Sequence, residues 1–209
     1  MSAPAADPAE LAPETDRFHR PRRDDCPWCR SKLLRQRHLA ATARAMLPFG
    51  EPESWLDIGT GDGAFPAAAK QVFPYTSFDG VDPTARVERA QAADRVEEAY
   101  AGDLTNPHLM AHLRARYDVV SVLHHLPQTV HPREQIQAAL TALRPGGHVL
   151  LELPDPQGLF AALRHPRPIP PLALPDLRGE LESRGCTIIT TSRSPFLTCY
   201  RVIARTQPA

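Results

Sequence analysis

At 209 residues the chain can build one substantial core with a small appendage. Its 24 basic and 24 acidic residues cancel, which removes any global electrostatic case for a nucleic-acid or membrane partner. No apolar run reaches the length of a membrane span, and Met1 to Asp16 lacks the basic start and apolar middle of a signal peptide, so the sequence reads as that of a cytoplasmic protein.

Residues 1–16, rich in Ala, Pro and acid, read as a disordered tail. Residues 17–50 read as an amino-terminal extension. It opens with a basic run (Arg17, Arg20, Arg22, Arg23, Arg30, Lys32, Arg35, Arg37) that encloses Cys26-Pro-Trp-Cys29. One C-x2-C pair supplies half of a tetrahedral zinc site; no second cysteine pair follows, and His19 and His38 offer further ligands only at irregular spacing. Zinc held by Cys26 and Cys29, a ribbon without its metal and a redox thiol pair all remain open. Cys186 and Cys199 fall in stretches that read as core strands, where reduced thiols pack as small hydrophobes. From Ser31, Leu39, Ala43, Met46 and Leu47 recur at helical spacing until Pro48 and Gly50 stop the helix.

Residues 51–209 then alternate. Trp55–Ile58 reads as a buried strand, and the chain turns at Gly59-Thr60-Gly61-Asp62-Gly63 into a helix over Ala64–Val72. A strand at Thr76–Val81, a helix at Thr84–Ala92, a weaker strand near Glu97–Ala101 and a helix around Pro107–Ala115 lead to a clear strand at Tyr117–Leu123. Pro132 opens a helix with Ile136, Leu140 and Leu143 on one face; Leu143-Arg-Pro-Gly-Gly147 turns it into a strand at His148–Leu153. After a proline-dense stretch from Pro154 to Pro175 come a helix near Asp176–Arg184 and two strands, Thr187–Ser192 and Thr198–Ala204. The alternation predicts an α/β fold, a doubly wound sheet with helices on both faces.

In such sheets ligands bind beyond the carboxyl ends of the strands, and acids stand there: Asp57 ends the first strand, Asp82 the second, and Asp103 follows the third. The glycine spacing alone leaves two readings, because Gly59, Gly61 and Ala64 also satisfy the dinucleotide fingerprint. A short-chain dehydrogenase would need a lysine four residues after a tyrosine. Tyr75, Tyr100, Tyr117 and Tyr200 are followed there by Asp79, Leu104, Ser121 and Ala204, which excludes it.

From Trp55 to Leu153, the acid followed by G-x-G-x-G, Asp82, Ala-Gly-Asp103-Leu104 and the order of elements resemble the class I methyltransferases that use S-adenosylmethionine (SAM). The resemblance implies a seven-stranded sheet whose last strand is antiparallel. It implies that Asp57, Gly59, Thr60 and Gly61 surround the methionine end of SAM, that Asp82 holds the ribose, and that Pro83 and Thr84 lie near the adenine. Asp103 with Leu104 would meet the adenine amino edge, and Ser121, in the fourth strand, is counted with the cofactor-binding residues. The bland alternative is that Asp57 or Asp103 merely caps a helix or turn. Cys26 and Cys29 resemble half of the amino-terminal zinc ribbon of certain bacterial methyltransferases, including 23S rRNA guanine methyltransferases.

His124 and His125 follow the fourth strand, where an acceptor would meet the methyl group. They read either as a general base or as packing and backbone-bonding residues, with Glu152 and Asp155 as a second choice of base. The leading expectation is methyl transfer to a small molecule, under a roof made by the amino-terminal segment and the stretch from Pro154 to Pro175. Two rivals stand beside it: an RNA methyltransferase using Arg17 to Arg37 and Trp28, and a non-catalytic SAM-binding partner protein.

Overall fold

The computed structural model describes residues 32–123, 125, 126, 129, 131–155, 173–194 and 199–208. The tail, the basic run as far as Arg30, Cys26, Cys29, His19, His124 and most of the proline-dense stretch lie outside the described residues.

The elements follow in chain order as α1 (Lys32–Arg44), β1 (Ser54–Ile58), α2 (Ala64–Ala69), β2 (Ser77–Asp82), α3 (Arg86–Ala92), β3 (Ala99–Ala101) and α4 (Pro107–Leu113). Then come β4 (Tyr117–Leu123), α5 (Pro132–Ala142), β5 (Leu143–Pro154), α6 (Leu174–Ser183), β6 (Thr187–Ser194) and β7 (Cys199–Arg205). The strands form one sheet in the order β3-β2-β1-β4-β5-β7-β6. Only β7 runs against its neighbours β5 and β6; the other pairings are parallel. The order reverses between β1 and β4, and this opens a crevice beyond their carboxyl ends.

Side chains alternate across the sheet and build two cores. On one face Trp55, Phe78, Val119, Leu150 and Ile203 pack with Leu39, Ala43 and Met46 of α1 and its following turn and with Phe65 and Phe73. On the other, Leu56, Val120, Val122 and Leu151 meet Ile136 and Ala139 of α5, Leu113 of α4 and Leu177 and Leu181 of α6. α1 is thus part of the same packed body as the sheet.

Between α5 and β5 the expected Leu143–Gly147 turn is drawn into the strand as a bulge. β4 pairs Tyr117 with Leu143 and then Val119 with His148, two steps on β4 against five on β5. The helix predicted through Leu47 ends at Arg44, and Leu47–Phe49 forms a single 3-10 turn.

Trp55 is fully buried among Phe65, Phe73 and Phe78, with ring centroids 5.6, 5.7 and 5.4 Å away. Its indole N–H donates to Ser121 Oγ at 2.9 Å. Trp55→Phe keeps the aromatic cluster but removes that donor and some volume. The expected cost is about 1–3 kcal/mol in urea unfolding, and an unchanged midpoint would mean that the indole bond contributes nothing.

Candidate active site

The β1–β4 register sets Asp57 directly beside Ser121. Ser121 Oγ donates to Asp57 Oδ1 at 2.6 Å and accepts from Trp55, so a buried relay runs Trp55 to Ser121 to Asp57. Asp57 is 3 % exposed and Ser121 0 %. Ser121, expected to touch a cofactor, is thus buried with its hydroxyl engaged by Trp55 and Asp57.

Past Asp57 the chain folds back over the end of β2. Gly59 N–H and Thr60 N–H both donate to Val81 O, at 2.8 and 3.2 Å, and Gly61 N–H donates to Asp82 Oδ2 at 2.9 Å. Gly59 has φ +72 and Gly61 φ +54, a region that residues with a Cβ rarely enter. A Cβ on Gly59 would stand 2.6 Å from the His125 ring, so the imidazole lies directly on the glycine turn. A Cβ on Gly61 would come 3.0 Å from the Arg86 guanidinium. The space beside Gly61, expected to admit a ligand, is thus covered by a side chain.

Asp82 is already engaged. Oδ1 accepts from Thr84 N–H at 2.9 Å and Thr84 Oγ at 2.5 Å, in addition to Gly61 on Oδ2. A carboxylate offers about four acceptor positions, so a ligand hydroxyl can add one bond directly and gains a second by displacing the Thr84 hydroxyl. Pro83 is exposed beside it.

Asp103 Oδ1 accepts from Thr105 N–H and Oγ at 2.8 and 2.7 Å and from Gln135 Nε2 at 2.6 Å. Among the described residues no donor reaches Oδ2. Partial burial pushes this carboxyl up, but the Thr105 and Gln135 bonds and the nearby His125 outweigh it and hold Asp103 below the usual carboxylate range. Leu104, expected alongside it at a ligand, points its side chain into the core at 1 % exposure, which leaves only its backbone for such a contact.

Among the described residues, Thr60 Oγ1 in the glycine turn and Gln135 Oε1 beside Asp103 are buried and have no hydrogen-bond partner. Such atoms cost free energy unless something outside the chain completes them.

Arg86 was not singled out by sequence. It reaches from the start of α3 to Asp62, with Nη2 and Nε 2.6 and 3.2 Å from Oδ2, while Arg89 takes Oδ1 at 3.0 Å. The bond from Arg86 draws Asp62 down to about 2 despite some burial. Asp62 therefore stays charged far below neutrality, and the pair contributes fully above the ordinary carboxylate value and is lost as pH falls through about 2. Asp62 is 41 % exposed, so screening keeps the contribution small. Asp62→Asn should cost under about 1 kcal/mol and loosen residues 59–63 in hydrogen exchange; unchanged exchange would show that the pair restrains nothing.

The second-choice bases are committed elsewhere. Glu152 is 1 % exposed and takes Arg201, Thr42 and His38, and Asp155 pairs with Arg193 Nε at 3.4 Å. His38, considered above as a partner for Cys26 and Cys29, lies with Nε2 2.5 Å from Glu152 Oε1.

A family profile described as a methyltransferase domain matches residues 31–191. The ubiquinone biosynthesis O-methyltransferase of Cronobacter sakazakii is 31 % identical over 125 residues, 59 % of this chain and 49 % of that protein. The chain thus spans about half the length of this curated relative. The magnesium protoporphyrin IX methyltransferase of Synechocystis, solved with bound S-adenosylhomocysteine (SAH), superposes with a TM-score of 0.64 at 18 % identity, over 83 % of this chain and 84 % of that one. The [4+2]-cyclase SpnF superposes with 0.68 at 14 % identity, over 85 % and 83 %. At these identities the likeness establishes the fold alone. No helix among the described residues is long and apolar enough to cross a membrane.

Proposed function

The chain belongs to the class I, SAM-dependent methyltransferase family, and from that premise we propose that it moves a methyl group from SAM to a small-molecule acceptor. The observation that carries this reading is the set of three acids, Asp57, Asp82 and Asp103, at the ends of three neighbouring strands around a glycine turn with φ +72 and φ +54. Acids there suit a ligand that carries an ammonium group, ribose hydroxyls and an adenine amine. Thr60 Oγ1 and Gln135 Oε1, which have no partner among the described residues, fit a ligand that completes them.

In this reading Asp57, fixed by Ser121, and the Gly59–Gly61 backbone hold the methionine end. Asp82 and Thr84 take the ribose beside Pro83, and Asp103 Oδ2 with the Leu104 backbone meets the adenine edge. SAM supplies a methyl carbon on a sulfonium that is already primed to leave. What remains for the protein is to align the acceptor with that carbon and exclude water. His125, resting on Gly59, accepts the acceptor's proton as the new bond forms. A hydroxyl acceptor suits such a base, and the Cronobacter relative is named as an O-methyltransferase.

We assign residues 51–209, with α1 packed on the sheet, to the methyltransferase unit, and the segment before α1, with the stretch from Pro154 to Pro175, to the acceptor roof. The reading gives no role to zinc at Cys26 and Cys29. Its test is transfer of labelled methyl from SAM into the small-molecule fraction of a cell extract; label found only in RNA would overturn it. Asp82→Ala should weaken SAM by roughly tenfold to a hundredfold in calorimetry, each tenfold being about 1.4 kcal/mol. Equal affinity would take Asp82 out of the site.

A further inference from the structure

Beyond the cofactor cradle the sheet carries a second convergence of chemistry, and we propose that His38, Glu152 and Cys199 bind a divalent metal ion of the zinc class. The three come from α1, β5 and β7, far apart in sequence. The β5–β7 register pairs Glu152 with Arg201 and Pro154 with Cys199, and α1 lies on that face through Leu39 and Ala43. Their donor atoms, an imidazole nitrogen, a carboxylate oxygen and a sulfur, all fall within 4.8 Å of one another. That is the donor set zinc takes, at about 2.0–2.3 Å from the ion. Donors spaced tetrahedrally at such lengths stand roughly 3.3–3.8 Å apart, so ligation opens the His38–Glu152 contact of 2.5 Å by small side-chain rotations.

The surroundings favour a site over a simple ion pair. Glu152 is 1 % exposed and Cys199 3 %, so a bound ion would be held away from bulk water. Glu152 Oε2 is fixed by Arg201 Nη2 at 2.8 Å, Arg201 Nε at 3.2 Å and Thr42 Oγ at 3.2 Å, and Arg201 also donates to Thr42 at 2.6 Å. These bonds set the carboxylate's rotamer and aim Oε1 at His38, as outer groups do for metal-binding carboxylates. β5 lies two strands from β1, roughly 10 Å at the usual strand spacing, so the ion would not occupy the cofactor cradle.

The test uses the purified full chain, stripped of metal and titrated with Co2+ as the probe. The expected result is a saturable thiolate-to-cobalt charge-transfer band reached at about one equivalent and displaced by Zn2+. The band should vanish in Cys199→Ser, weaken on the order of tenfold or more in His38→Gln, and persist in a Cys26→Ser/Cys29→Ser double variant. Circular dichroism checks folding, and if Cys199→Ser does not fold, His38→Gln decides. No band in folded wild type, a band indifferent to His38→Gln, or one lost only with Cys26 and Cys29 would overturn the proposal.

Discussion

Gly59→Val is expected to weaken SAM on the order of a hundredfold or more, about 2.8 kcal/mol. Gly59 sits at φ +72, where a β-branched residue is a strong outlier and strain costs about 1–3 kcal/mol. Its Cβ would stand 2.6 Å from Cγ and Nδ1 of His125, so the imidazole must leave or the turn must open. The turn also hangs from Val81 O through the Gly59 N–H, so opening it disturbs the end of β2, which carries Asp82. Gly61→Ala should be milder, because its nearest neighbour is the far end of the flexible Arg86 side chain at 3.0 Å. Calorimetry on variants shown to be folded checks the ranking; equal binding by Gly59→Val and wild type would detach the turn from the cofactor.

His125→Ala is expected to keep SAM affinity within a fewfold while turnover falls by a factor on the order of 100 to 10,000. Raising the pH should restore part of the rate, because an acceptor hydroxyl that ionises in solution no longer needs the base. A smaller loss without that rescue would make His125 a positioning residue that aligns the acceptor. Turnover equal to wild type would remove it from the chemistry and fit an acceptor such as a neutral amine, which needs no base. His124→Ala, made alongside, tells which histidine of the pair matters.

The central sheet was legible because β1, β4 and β5 carry short apolar runs such as Val119–Val120 and Val149–Leu151 set between helical patterns. Asp57, Asp82 and Asp103 could be picked out because each stands at or near the carboxyl end of a predicted strand. What could not be read depends on neighbours supplied by other strands. Ser121 looks like any strand-end serine until the β1–β4 register sets it against Asp57. Arg86 and Asp62 meet across the glycine turn at a separation with no helical or strand period. Glu152 looked available, but burial beside α1 and β7 commits it to Arg201 and His38. Gln135 did leave a trace: it is the polar member of a buried α5 stripe shared with Ala138, Ala139 and Ala142, and a buried polar side chain in such a stripe calls for a partner. The bulge at the head of β5 looks like a turn in sequence because Pro145, Gly146 and Gly147 carry turn chemistry in either case.

The central claim, a SAM site built on the glycine turn and the three strand-end acids, is tested most directly by titrating the folded wild-type chain with SAH in a calorimeter and repeating the melt in its presence. The account predicts one saturable site per chain, with stabilisation of about 2.7 kcal/mol at SAH a hundredfold above its Kd. A folded chain that gives neither heat nor a shift in Tm would contradict it.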